Sequence, residues 1–463
     1  MHETSTTPDN LPKPRRRPWL IVSGCIVVAV VVLLMLVVLP VVVFRQMAFR
    51  DDPRPDDSRM TPQWSERDPA TNPLILFCHA IPQTPARKQS LLPKEVKNLE
   101  AVTMARAKEF LAEQSATLAA FDQLRQTDST TWLWPDGKAI VDPNYSVGYL
   151  GDCQGAMQVV LLKAKVLARE GKWDEAMRLS LDIARVGLGM QHAESAPIPL
   201  LVGISFQTLG ENQYLALATS DGVTRAQLLH ALQELSAMEG PRREDLKFSL
   251  QTDYQFFLHC LELVHQGKGS TGTTGIPPRA PKFLLKRHRT MNMRLKQDLP
   301  IIEGLDQGWR EGFAAAVRAE EAYDEITANK GSISFFLDSN FVGKTIYILT
   351  ASTPVTLTQG MMNNVVSREQ RKVLLALRLH ELDHGHLPPS LEALVPAYLP
   401  AVPEDIYTGK PMLWNARDKV VYSTGGNGID DGGKIDKEQP RKGLDFGMAY
   451  PWKTTPPTSP PHE

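Results

Sequence analysis

Residues 19–44, WLIVSGCIVVAVVVLLMLVVLPVVVF, contain no charged side chain. An apolar run of more than about 20 residues can cross a bilayer as a helix, and every backbone polar group in it must then be satisfied within the segment. The run predicts a transmembrane helix, with Pro40 near its end, where a lost backbone hydrogen bond does least harm. Val22, Ser23, Gly24 and Cys25 resemble a lipoprotein processing box, yet most of the hydrophobic run follows the cysteine, whereas a cleaved signal carries its run in front. An uncleaved signal anchor is therefore expected. Lys13, Arg15, Arg16 and Arg17 are clustered on one side of the segment, and Arg45, Arg50, Arg54 and Arg59 are spread over the other. The tighter cluster predicts a cytoplasmic tail of residues 1–18 in the inner (cytoplasmic) membrane and an extracytoplasmic body.

A formal net charge of −1 gives no general drive towards nucleic acid. The one basic concentration, residues 282–296, has apolar positions at helical spacing and predicts a solvated helix face. Beyond Cys25, the cysteines Cys78, Cys153 and Cys260 allow one internal disulfide or three separate core thiols.

Residues 45–92 contain DDPRPDDSRMTPQWSERDPATNP at 51–73 and predict a spacer. A helical pattern runs through residues 93–366, interrupted by WLWPDG, whose tryptophans are expected to pack on a helix, and by a flexible loop at 267–282. Residues 153–188 predict two antiparallel helices joined at Glu170, Gly171 and Lys172. Here Ala164, Leu167, Gly171, Trp173 and Ala176 resemble half of a tetratricopeptide repeat consensus, with Ser180 where that consensus has an aromatic. No second copy follows, so a helical-hairpin array is expected and not a repeat solenoid. Thr224 is a candidate cap. Residues 334–357 are apolar but too broken for a second span, so buried packing is expected. The tail, residues 451–463, reads as disordered.

His380-Glu381-Leu382-Asp383-His384 fits the HExxH pattern, in which two histidines on one helical turn bind zinc and the glutamate serves as general base. Asp383 puts a charge inside the motif, Gly385 is a helix terminator and Pro388-Pro389 follow. Glu404, as third ligand, would have to come from a proline-bounded loop. The residues therefore fit the last turn of a helix that Ser367, Arg368, Glu369 and Gln370 open as a capping box, with Val373, Leu375, Leu377, Leu379 and Leu382 as its apolar side. Zinc at His380 and His384 is then at most adventitious.

Past this helix, Asp383, Gly385 and Pro388 are followed by Leu391, Leu394, Val395, Pro396, Tyr398 and Leu399. Pro403, Asp405, Gly409 and Pro411 come next, then Tyr422, Ser423 and Gly425. In order and spacing these resemble the C-terminal part of the major pseudopilin of type II secretion systems, and the whole chain more loosely resembles uncharacterised single-pass bacterial envelope proteins. The chain departs from the pseudopilins in placing residues 45–366 between the membrane segment and this module. The resemblance implies a small α+β module over residues 367–450 whose loop binds calcium. Ser423, Asn427, Asp430 and Asp431 match as hard oxygen donors. Independently, PMLWNARDKVVYST predicts a β-hairpin turning at residues 415–418 and covering the preceding helix.

The expected fold is mainly α: an N-terminal transmembrane helix, a helical-hairpin array and a small C-terminal α+β module with a β-hairpin. The expected function is non-catalytic protein interaction or scaffolding with a protein partner the sequence does not name. The alternatives are a membrane-anchored zinc metallopeptidase and a secretion-apparatus accessory protein.

Overall fold

A computed structural model describes residues 31–32, 35, 50–65, 71–81, 103–134, 141–142, 148–268, 282–351, 354–435 and 444–451. The membrane segment falls outside them except at three positions, as do nearly all of the 267–282 loop and the 451–463 tail. Among the described residues no helix is long and apolar enough to cross a membrane.

The described chain is mainly helical, with a small antiparallel sheet near its C-terminal end. Three short helices come first, α1 (Pro73–Ala80), α2 (Met104–Glu113) and α3 (Ser115–Leu124). The longer α4 (Tyr149–Arg169), α5 (Trp173–His192) and α6 (Pro197–Ala218) follow, then α7 (Arg225–Ala237) and α8 (Arg243–His265). The second half contains α9 (Arg287–Gln307), α10 (Trp309–Ala328), α11 (Ile333–Phe336), α12 (Phe341–Thr350) and α13 (Pro354–His384). Strands β1 (Glu404–Asp405) and β2 (Lys410–Pro411) form a ribbon, and β3 (Leu413–Asn415), β4 (Val420–Ser423) and β5 (Phe446–Ala449) an antiparallel sheet in that order.

The α4–α5 hairpin forms as its pattern predicts, with Gly171 at φ +76° in the turn, a region glycine enters without steric cost. Ser180 has a structural reason. A Cβ on Gly210 would meet the carbonyl oxygen of Ser180 at 2.5 Å, and one on Gly203 would meet that of Gly187 at 2.8 Å. Helices α5 and α6 thus touch backbone to backbone, leaving no room for the aromatic a tetratricopeptide repeat places there. Trp173 packs instead on Gly222 beyond α6. Both tryptophans of WLW are buried against α5: Trp132 covers Gly189, and the Trp134 indole donates to the Met190 carbonyl at 2.9 Å. Thr224 caps α7 in a capping box with Gln227. Cys78 and Cys153 bring their sulfurs to 3.6 Å in the core shared by α1, α3 and α4, while Cys260 sits alone in another.

Three expectations need correction. The described part of the 45–92 spacer is an integral layer. Met60 is fully buried, Gln251 and Gln255 of α8 donate to the carbonyls of Arg59 and Met60, and α1 lies in a core with α3 and α4. Its acidic, proline-rich composition reads as solvated, but its carbonyls and carboxylates have partners on the helices.

Ser367 does not open a helix. It lies within α13, 31 residues and about 46 Å long. The boundary drawn at residue 367 therefore cuts a continuous element. Leu357 and Met361 belong to the core of α8, α9, α10 and α12; residues from Val366 to Leu379 belong to the core of α5, α6, α7 and the sheet. Val373, Leu374, Leu375, Ala376 and Leu377 are all fully buried, so this stretch has no solvent face, whereas Leu382 is exposed.

The basic helix face is only partly solvated, because Arg294 and Lys286 are buried. Arg294 pairs with Asp298 at 2.5 Å and with Asp253 of α8, and donates to the carbonyl of Thr350, the last residue of α12, at 3.1 Å. A matching cluster lies on α13. There Glu211 of α6 accepts from Arg371 at 2.7 Å with Arg368 at 3.8 Å, and Arg368 reaches the carbonyls of Leu235, Met238 and Glu239 at the end of α7. Arg294 and Arg368 thus satisfy carbonyls that a helix end leaves without partners, while Arg371 bonds the side chains of Glu211 and Asn212.

The predicted hairpin is present, with Trp414 opposite Val421 and Asn415 opposite Val420. It packs on α13, where Gln370 donates to the Phe446 carbonyl of β5 at 2.8 Å.

Candidate functional site

The HExxH turn is the last turn of α13. Gly385 follows at φ +77°, and its N–H donates to the Glu381 carbonyl at 2.8 Å, so the helix ends where its sequence says it should. The rings of His380 and His384 stack with centroids 4.2 Å apart and planes 21° from parallel. Each Nδ1 faces a backbone carbonyl and so acts as donor: His380 to His386 at 3.0 Å, His384 to His380 at 3.1 Å. Two Nε2 atoms remain for a metal. Among the described residues no group of three or more His, Cys, Asp or Glu is arranged to hold one. Glu404 lies in β1, opposite Pro411.

The acids of the motif have other employment. Glu381 accepts from Arg378 at 2.6 Å and from the Tyr450 hydroxyl just beyond β5. Burial pushes its carboxyl up, but those hydrogen bonds and the Arg378 charge outweigh it and hold the group below the usual glutamate range. Asp383 accepts both Arg225 nitrogens, at 2.6 and 2.8 Å, and the Tyr398 hydroxyl at 2.8 Å. These bonds lower its carboxyl to about 2. The two carboxylates tie the end of α13 to the sheet, to the start of α7 and to the segment after the helix.

Three of the four predicted calcium donors accept local backbone N–H groups. Ser423 Oγ is buried and accepts from the Gly425 N–H; Asn427 Oδ1 accepts from Ile429; Asp430 Oδ1 accepts from Gly432 and from the Tyr422 hydroxyl. These are turn-forming bonds of the kind short polar side chains make in Gly-rich loops.

The loop nevertheless encloses an acidic pair. Asp445, just before β5, accepts from the N–H groups of Asp431 and Gly433 at 3.0 and 2.7 Å through Oδ2. Its Oδ1 and the Oδ2 of Asp431 are buried without a partner among the described residues. Burial pushes the Asp445 carboxyl up, and the negative charges of Asp430 and Asp431 push the same way against the two N–H donors. Two desolvated carboxylates with uncommitted oxygens fit a hard cation by chemistry, although they supply fewer ligands than the six to eight such an ion takes. Asp445 was not singled out in the sequence. Its only signal is an isolated acid in the apolar stretch LDFGMAY.

Two open clefts lie among the described residues. One of about 430 Å³, between residues 58–63 and helices α8 and α9, is lined by charges that neutralise one another: Arg59 pairs with Glu303 and Asp306, and Lys247 with Asp306. The other, about 260 Å³ between α9 and α10, is mainly apolar.

No protein-family model matches the chain, and comparisons with curated proteins and with solved structures gave no match.

Proposed function

We propose that this protein is a membrane-anchored extracytoplasmic scaffold that acts by contact with a protein partner, with residues 19–44 as a single-pass anchor in the inner membrane and the bulk of the chain exported. The observation that carries the non-catalytic reading is the use made of Glu381. A zinc peptidase needs that carboxylate beside a metal-bound water, whereas here it is bonded to Arg378 and Tyr450 and joins helix to sheet. The helical hairpins and long spine support a rigid platform, and the pseudopilin-like order of residues in the C-terminal part suits a place in the envelope. Calcium at Asp431 and Asp445 is a structural ion in this reading.

Crosslinking in intact membranes followed by capture of the full chain is expected to recover a reproducible protein partner. In parallel, Glu381→Gln is expected to lower stability and to leave zinc content and peptide hydrolysis unchanged. Stoichiometric zinc with a peptidase activity lost in that variant would replace the scaffold with the metallopeptidase.

A further inference from the structure

The short helix α11 and the residue after it carry a concentrated apolar patch. Ile333 and Leu337 are each 79 % exposed and Phe336 is 57 % exposed, while Phe335 between them is buried against Phe341. Single exposed apolar residues are ordinary, but three within five consecutive positions form a patch that calls for a partner.

The patch is rigidly held. Ser332 caps α11 through the Phe335 N–H, and Asp338 accepts from the Asn340 N–H and pairs with Lys344 at 2.5 Å. Asn340 accepts from the Lys286 N–H at 2.7 Å and bonds the Thr290 side chain. The patch is therefore pinned to the first turn of α9.

The chain arriving from residues 19–44 is tied to that same turn. The Asp51 carboxylate accepts the backbone N–H groups of His288 and Arg289 at 2.9 and 3.0 Å. The seven residues from the end of the apolar run to Asp51 can reach at most about 25 Å. Each headgroup layer adds about 5–8 Å outside the hydrocarbon. An anchored chain must therefore hold this end of the body close to the bilayer.

We propose that Ile333, Phe336 and Leu337 insert into the headgroup layer of the membrane that holds residues 19–44, a second, non-spanning contact that fixes the tilt of the body. The inference rests on the anchored reading of the function. Exposed Arg289 and Lys330 flank the patch, but exposed Asp324 and Glu325 precede it on α10. Apolar insertion, and not headgroup charge, is the driving term.

The test uses the full chain with Cys25→Ser, reconstituted in phosphatidylcholine–phosphatidylglycerol vesicles and carrying a nitroxide at Leu337→Cys or at Ile429→Cys. The remaining cysteines are buried. Ile429 is a distant control: neighbouring Gly426 packs on Phe313 near the start of α10, whereas the patch follows its end, about 22 Å further on. The label at 337 is expected to collide several-fold more often with oxygen than with a water-soluble nickel chelate, and the label at 429 to show the reverse. Equal nickel access at both positions in chains that float with the vesicles overturns the lipid contact and leaves the anchor standing. Spin–spin broadening at 337 assigns the patch to a second copy and also overturns it. Failure of the chain to float overturns contact and anchor together.

Discussion

The two buried arginine clusters are built to opposite stoichiometry. On α9 one guanidinium, Arg294, serves two acids, Asp298 and Asp253; on α13 one acid, Glu211, serves two guanidiniums, Arg368 and Arg371. Both sit in apolar cores, and both satisfy carbonyls at the end of a shorter helix. Their surplus charges meet different fates. Arginine cannot shed its proton at ordinary pH, so the α13 cluster keeps its positive excess and spreads it over the α7 carbonyls and Asn212. A carboxylate can take up a proton. Burial pushes Asp298 up to about 6 against the opposing pull of Arg294, and its Oδ1 has no partner among the described residues. One cluster is permanently charged, and the other can neutralise itself.

The largest expected consequence separates the clusters by mutation. Glu211→Gln strands two buried guanidiniums, and breaking such a pair costs about 3–5 kcal/mol. Asp298→Asn leaves Arg294 with Asp253 and the Thr350 carbonyl and removes a strongly desolvated charge, so its cost at pH 7 is about 1 kcal/mol or less. Urea unfolding of the two variants measures the difference directly. Equal losses would mean that the clusters do not differ as described.

pH sharpens the same contrast. A carboxyl whose folded value lies above its unfolded one contributes stability that is fully present below the unfolded value and lost as pH rises through the folded value. For Asp298 the window runs from the ordinary aspartate value of 3.8 to about 6. The slope over that window is at most about 1.4 kcal/mol per pH unit. Subtracting the stability curve of Asp298→Asn from that of the native chain is expected to isolate this fall. A flat difference would show that folding leaves the Asp298 carboxyl unshifted.

The acidic pair in the C-terminal loop gives the smallest effect, and among the described residues no arginine acts on Asp445. If Asp431 and Asp445 share a cation, calcium at about a hundred times its dissociation constant stabilises by about 2.7 kcal/mol. Asp445→Asn keeps an oxygen for the Asp431 and Gly433 N–H groups, so it is expected to fold, to be no less stable without calcium and to lose the calcium response. A calcium-dependent rise in Tm that survives this substitution would place the ion elsewhere.

Much of the architecture could be read before the structure, because it rests on local signals. Gly171 marks the hairpin turn, Thr224 the cap, Gly385 the helix end, and the alternation around residues 415–418 the β-hairpin. What could not be read depends on distant partners. Arg294 and Arg368 look solvent-facing until Asp253 and the α7 carbonyls come into position across the fold. Ser367 looks like a helix start because Arg368, Gln370 and Arg371 resemble a polar end; their partners lie on α6, α7 and β5. Of the candidate site, the loop and Asp431 were legible, whereas Asp445 reaches them only through the pairing of β4 with β5. The histidine motif was legible as a helix end, and the commitments of Glu381 and Asp383 were not.

The central claim is that residues 19–44 hold an exported body at the membrane. Protease added to spheroplasts carrying the full chain with an epitope at each end tests it most directly. The account predicts that the C-terminal epitope is destroyed while the N-terminal one survives on a short membrane-bound fragment. Survival of the intact chain, or its release by alkaline carbonate, would contradict it.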